Sequence, residues 1–113
     1  MQSLKDKVVI ITGASSGIGL AAARAFAAEG SKLSVAARSL EKLNALRNEL
    51  SASTQIICVK TDVTIEEECK NLIEQTVAAY GKIDILVNNA GISMRALFKD
   101  LDLSVIKNLM EVN

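Results

Sequence analysis

The stretch Lys7–Gly19, KVVIITGASSGIG, sets an apolar β-branched run directly in front of three glycines, Gly13, Gly17 and Gly19. Val8, Val9, Ile10 and Ile11 follow one another without a polar break, as in a strand buried on both faces of a parallel sheet. Gly13 then takes a tight turn, and Gly17, lacking a side chain, lets the backbone approach a ligand closely. From Ile18 the pattern predicts a helix with Ile18, Ala22, Ala25, Phe26 and Glu29 on one stripe and a stop at Gly30. The free N–H groups and positive dipole end of that helix face the loop and suit a pyrophosphate. Ser15 and Ser16 add hydroxyl donors or cap the helix. Glycine-rich strand-to-helix turns also arise for purely geometric reasons. The strand before this one, the alanine-rich helix after it and the serines within it favour dinucleotide binding.

Length and composition suit an aliphatic α/β core and not a disordered tail: 113 residues, 50% hydrophobic and 3% aromatic, with mean hydropathy +0.28. One domain at most fits this length. Thirteen basic and thirteen acidic residues cancel, and without a basic block or an aromatic-interleaved stripe nucleic acid is not an expected partner. The N-terminal MQSLKDK lacks the apolar region of a signal peptide, and no apolar stretch approaches the ~20 residues of a membrane helix. A cytoplasmic protein without membrane contact is the expectation. Cys58 lies in the apolar run Ile56-Ile57-Cys58-Val59 and Cys69 on the stripe of the next helix. Neither belongs to a C-x-x-C pair, which favours buried reduced thiols over a redox role. The sequence has no histidine, so Ser-His-Asp and Cys-His mechanisms are excluded within these residues and no metal site is expected.

Strand and helix alternate along the chain without a linker, a repeat or a proline. A second strand is predicted around Ser31 to Ala37, and a helix after Ser39 carries Leu40, Leu43, Leu46 and Leu50 on one face. The third strand is Gln55 to Lys60. Thr64 and Glu67 have the spacing of a capping box and open a helix with Ile65, Cys69, Leu72 or Ile73, Thr76 and Tyr80 inward, closed by Gly81. Strand four is Ile83 to Val87. A last helix is predicted from near Asp102, with Ile106, Leu109 or Met110, and Asn113 on one side. Repeated β-α units with short turns imply a parallel sheet covered by helices on both faces, with right-handed crossovers.

The glycine spacing is not G-x-G-x-x-G, since three residues separate the first two glycines and one the last two. TGASSGIG followed by Asn88-Asn89-Ala90-Gly91 resembles the short-chain dehydrogenase/reductase family, in its classical branch, and the resemblance runs from about Lys7 to the last residue. It implies an α/β fold with a Rossmann-type doubly wound parallel sheet, strand order 3-2-1-4. The cofactor then lies in the crevice between strands 1 and 4, where the strand order reverses. Residues 1–113 would form the N-terminal portion of an NAD(P)-binding domain, in the full-length protein a homo-oligomer acting on a small carbonyl or alcohol substrate.

Cofactor-binding residues are sought at the C-terminal ends of the strands. The loop supplies Gly13, Ser15, Ser16, Gly17, Ile18 and Gly19. After strand 2, an acidic residue would bond the ribose 2′-OH of NAD, whereas an arginine can hold a 2′-phosphate. Here the acid is missing and Arg38 stands in the turn. A solvated surface arginine is the plain alternative; the resemblance favours NADP(H), with NAD(H) as the second choice. After strand 3, the capping box assigned to Thr64 leaves Asp62 free for another partner. By resemblance Asp62 accepts from the adenine amino group and Val63 offers its backbone N–H.

The adjacent Asn88 and Asn89 at the end of a buried strand need partners, because an unpaired buried polar group costs about 1–3 kcal/mol. They can simply tie strand 4 to the Thr12-Gly13 turn. The resemblance adds that Asn88, Asn89, Ala90 and Gly91 stabilise the sheet and lie beside the cofactor ribose. Asn113, in Leu109-Met110-Glu111-Val112-Asn113, matches by resemblance a helix asparagine that supports a water and the catalytic lysine in a proton relay.

The family's catalytic Ser and Tyr-x-x-x-Lys motif are not among these residues. Tyr80 is the only tyrosine and is followed four residues later by Asp84, not Lys; it belongs to a helix end far from the crevice. Two functions therefore stand side by side. One is an NADP(H)-dependent oxidoreductase that moves a hydride between nicotinamide and a carbonyl or alcohol carbon, the 113-residue chain alone being inactive. The other is a non-catalytic or degenerate nucleotide-binding module. Met94, Arg95 and Phe98, in the loop after Gly91, either edge a substrate pocket or pack as an ordinary loop. With nothing beyond strand 4, its apolar edge is expected to stay unpaired and drive association.

Overall fold

The apolar run before the glycines is the middle strand of a parallel sheet. In the computed structural model, which describes residues 3–89, 92–99 and 106–111, β1 (Val8–Thr12) is buried along its whole length. It is followed by α1 (Gly17–Ala28), β2 (Lys32–Ala37), α2 (Leu40–Leu50), β3 (Ile56–Lys60), α3 (Glu66–Tyr80), β4 (Ile83–Asn88), α4 (Ile92–Lys99) and β5 (Ile106–Glu111). The strands pair in parallel in the order β3-β2-β1-β4-β5. This is the predicted order 3-2-1-4 with one more strand added beyond β4.

The period of two along each strand divides the core. Val9 and Ile11 of β1, Leu33 and Val35 of β2, and Ile85 and Val87 of β4 face α1 and α2 and meet Ala23, Ala27, Leu43, Leu46 and Leu50. Ile10, Ala36, Val59 and Leu86 face the other way, onto Cys69, Leu72 and Ile73 of α3 and Met94 of α4, and Ile83, at the start of β4, joins this second cluster out of the period. Each fully buried Val, Ile or Leu contributes about 1.5–3 kcal/mol, so this double coverage selects one register at every strand. The polar groups caught in the core are paired: Thr76 Oγ1 meets Ser34 Oγ at 2.8 Å and the Leu72 carbonyl at 2.7 Å. The buried α3 stripe is Cys69, Leu72, Ile73 and Thr76 as predicted, but Ile65, expected inward, precedes the helix and is exposed, as is Leu40 at the start of α2. Gly81 ends α3 in the left-handed region (φ 79°), with its N–H on the Val77 carbonyl at 2.7 Å. Cys58 and Cys69 are free thiols, and burial pushes both up from the usual thiol range.

Other expectations are corrected. The α1 stripe is Gly19, Ala23 and Ala27, and Ile18 is 50% exposed; the helix starts one residue earlier than predicted and packs its smallest residues against the sheet. Thr64 does not cap α3, which begins at Glu66 with Ile65 in the capping position. The segment after Gly91 is helical from Ile92 to Lys99, not a loop, and Met94 is buried in the core. Residues Ile106–Glu111 form β5, not a helix. Apolar and polar residues in IKNLME satisfy a period of two about as well as a helical one. The open edge of β4 decides between them, because pairing Ile83↔Ile106 through Asn88↔Glu111 satisfies backbone groups of both strands. The edge of β4 is therefore covered.

Candidate functional site

The parallel register brings the ends of four strands to one edge of the sheet. Thr12 lies opposite Ala36, and Ala37 opposite Lys60, so the glycine loop, Arg38, Asp62 and Asn88-Asn89 all follow strands that stop on the same side. Thr12 organises the centre. Its hydroxyl donates to Asn88 Oδ1 at 3.1 Å and accepts from the Asn89 N–H at 3.0 Å. The Asn89 side-chain amide reaches the Gly13 carbonyl at 3.4 Å, and the Ala14 N–H reaches the Ala36 carbonyl at 3.1 Å. The loop is thus fastened to the strands on either side of β1, and the two asparagines make the tie that their burial requires.

Each glycine in the loop has its own reason. Gly13 turns at φ +64°, and a Cβ there would lie 2.8 Å from Asn89 Nδ2. Gly19 supports the start of α1 directly on that turn; its Cβ would lie 2.1 Å from the Gly13 carbonyl oxygen. Gly17 differs from both. It sits at φ +56° with nothing within 4 Å of a Cβ, an open cradle at the N-terminus of α1. Ser16 occupies the capping position in an extended conformation, yet its side chain makes no capping bond. The first-turn N–H groups are therefore not taken by a side-chain cap, as an anion site at a helix start needs.

Arg38 is mostly exposed, its Nη2 3.7 Å from Asp62 Oδ1. Asp62 is not free, contrary to expectation. Its Oδ1 accepts from both the N–H (2.9 Å) and the hydroxyl (2.6 Å) of Thr64, while its own N–H donates to Glu68 Oε1 at 2.9 Å. A short carboxylate that bonds the backbone two residues on forms its own turn, which here displaces the capping box and puts Glu68, not Glu67, on the loop. The two Thr64 bonds, the hydroxyl first, hold the Asp62 carboxyl below its ordinary range, with a smaller push from Arg38. Val63 is half-buried against the α3 side of the core. Ala90, Gly91 and Asn113 lie outside the described residues. Tyr80 is at the opposite end of the sheet, its hydroxyl donating to the Leu33 carbonyl at 2.9 Å, and burial pushes its pKa up to about 12.

Two features escaped the sequence reading. Ser39 caps α2 by accepting from the Lys42 N–H at 3.2 Å, which its place directly before the predicted helix signals. A cleft of about 220 Å³ lies between α1 and α2, bordered by Ser15 and Lys42, and no local pattern announces it.

The family model described as short chain dehydrogenase matches residues 7–113. An uncharacterized oxidoreductase of Listeria innocua is 42% identical over 98% of this chain, which covers 45% of that protein. An alcohol dehydrogenase from Thermococcus sibiricus, solved with 5-hydroxy-NADP, superposes with a TM-score of 0.72 at 37% identity, over 75% of this chain and 37% of that one. A short chain dehydrogenase/reductase from Burkholderia phymatum, solved with NAD, gives 0.76 at 36% identity, over 81% and 33%. The chain spans less than half the length of the curated relatives it matches.

Proposed function

The chain belongs to the short chain dehydrogenase family, and from that premise we propose that it forms the cofactor-binding portion of an NADP(H)-dependent oxidoreductase acting on a carbonyl or alcohol compound. The observation that carries this reading is the loop. Gly17 is open, α1 has no side-chain cap, and Thr12 locks the turn to Asn88 and Asn89. When bound, the nicotinamide cofactor supplies or accepts the hydride.

Gly13 to Gly19 and the start of α1 receive the pyrophosphate, with Ser15 and Ser16 as donors. Arg38 holds the 2′-phosphate and Asp62 the adenine amino group, with Val63 offering its N–H. Asp62 does so from a carboxylate oriented by Thr64 and Glu68, and Arg38 stands close enough to move between Asp62 and a phosphate. Asn88 to Gly91 border the ribose side, and Asn113 belongs to the proton relay.

By itself the 113-residue chain is proposed to bind cofactor without turnover, which keeps the non-catalytic module as a second reading. Tyr80, with its hydroxyl on the Leu33 carbonyl at the far end of the sheet, cannot serve as the acid. The test of the binding reading is Gly17→Asn, because Asn tolerates the left-handed backbone while its side chain fills the cradle. NADPH affinity should fall at least about tenfold while the thermal midpoint stays near that of the unsubstituted chain. Unchanged NADPH binding would refute the loop as the phosphate site.

A further inference from the structure

The cleft between α1 and α2 holds about 220 Å³ and is bordered by Ser15, Leu20, Arg24, Lys42, Leu46 and Glu49. Ser15 comes from the glycine loop and Lys42 from the first turn of α2, so the cleft joins the loop to the start of α2. Its charges are not balanced. Arg24 and Glu49 bond each other twice, at 2.8 and 3.0 Å, and neutralise one another. Lys42 takes part in no ion pair among the described residues, which leaves one uncompensated cation on the cleft wall. That cation also sits in the first turn of a helix, where the dipole disfavours it. Its backbone position is set by the bond from its N–H to Ser39 Oγ, one residue past Arg38. The Ser39 hydroxyl accepts that bond and keeps its own proton to donate.

We propose that Lys42 is a second cationic contact for the 2′-phosphate of the cofactor, approaching from α2 while Ser15 donates from the loop and Arg38 from the end of β2. Lys42 is then a specificity-determining residue whose effect appears only with the phosphorylated cofactor. The proposal rests on the NADP(H) reading above. Lys42 reaches the phosphate as a flexible point charge, whereas Arg38 offers a planar fork, so its contribution is that of an exposed ion pair and is screened by salt.

The experiment titrates NADPH and NADH separately into the unsubstituted chain and into Lys42→Gln, Lys42→Arg and Arg38→Ala, at low and at high salt. Lys42→Gln should weaken NADPH binding about fivefold at low salt, leave NADH unchanged, and lose most of its effect at high salt; Lys42→Arg should restore NADPH affinity. Lys42 is exposed, so the melting temperatures of its variants should match that of the unsubstituted chain. If Lys42→Gln leaves NADPH binding intact, or weakens both cofactors alike, while Arg38→Ala weakens NADPH alone, Lys42 lies outside the site and the NADP(H) reading stands. If Arg38→Ala also fails to separate the cofactors, or the unsubstituted chain does not bind NADPH in preference to NADH, both the reading and the role of Lys42 are overturned.

Discussion

Replacing Gly19 by alanine should destabilise the chain, although the same change inside an ordinary helix stabilises it. Gly19 is a residue of α1 with no left-handed requirement, and alanine is favoured over glycine in a helix interior by about 0.8–1 kcal/mol. At this position, however, the added Cβ would lie 2.1 Å from the Gly13 carbonyl oxygen, 2.7 Å from its carbon and 3.2 Å from Ala14 Cα. Every one of these neighbours is backbone, so no rotamer can move aside. The first turn of α1 and the Gly13 turn must separate by about 1.4 Å to bring the closest of these pairs to ordinary contact near 3.5 Å. Overpacking of this kind costs typically 1–3 kcal/mol, and the separation also strains the bonds that fasten the turn to Thr12, Asn89 and Ala36. The upper end of that range exceeds the gain in propensity, for a net loss of about 1–2 kcal/mol. For a domain of this size that is a fall of very roughly 4–12 °C in melting temperature. Urea and thermal unfolding of the two chains read the effect directly, and NADPH titration shows whether the displaced turn still receives a phosphate. A Gly19→Ala chain as stable as the original, with cofactor affinity retained, would refute the packing argument.

Arg38→Ala should reduce NADPH affinity by about 10- to 150-fold, the worth of a charge-assisted bond of roughly 1.5–3 kcal/mol, and leave NADH nearly unchanged; equal losses for both would make Arg38 a general electrostatic residue. Asp84 is buried between the Val8 N–H, which it accepts at 2.9 Å, and Lys82 Nζ at 3.0 Å. Burial pushes its carboxyl up, but the Val8 N–H, Lys82 and Lys7 together outweigh that and hold it below the ordinary value of 3.8. A carboxyl lowered on folding adds stability that is fully present above its unfolded pKa and is lost as pH falls through the folded one. Asp84→Asn should therefore cost about 1.5–3 kcal/mol at neutral pH, with the difference shrinking below about pH 4; a gap that stays constant down to pH 2 contradicts the assignment. The 113-residue chain should not oxidise NADPH with a simple diketone or aldehyde. Turnover that survives repurification and disappears in Gly13→Val would show that the catalytic groups are present after all.

Much of the fold was legible in the residues because it is encoded at short range. An unbroken run from Val8 to Ile11 predicts a strand buried on both faces, Leu43, Leu46 and Leu50 of α2 and the Cys69–Thr76 stripe predict helices of known inward face, and Gly81 marks a helix end. In each case the local period and the turn residue agree with the final packing. What the sequence could not decide were choices between two local solutions of similar energy. IKNLME fits a strand or a helix, and the open edge of β4 selects the strand by pairing its backbone from Ile106 to Glu111. Thr64 and Asp62 both have the chemistry of a cap, yet neither caps α3: the Asp62 carboxylate closes on Thr64 while Glu68 takes the Asp62 N–H, and Ile65 is left in the capping position. The company of Ser15 and Lys42 on one cleft belongs to the same class. Residues 27 positions apart become neighbours only when α1 and α2 settle side by side on the sheet, and the hydrophobic burial that puts them there leaves no mark in the spacing of the polar residues it brings together.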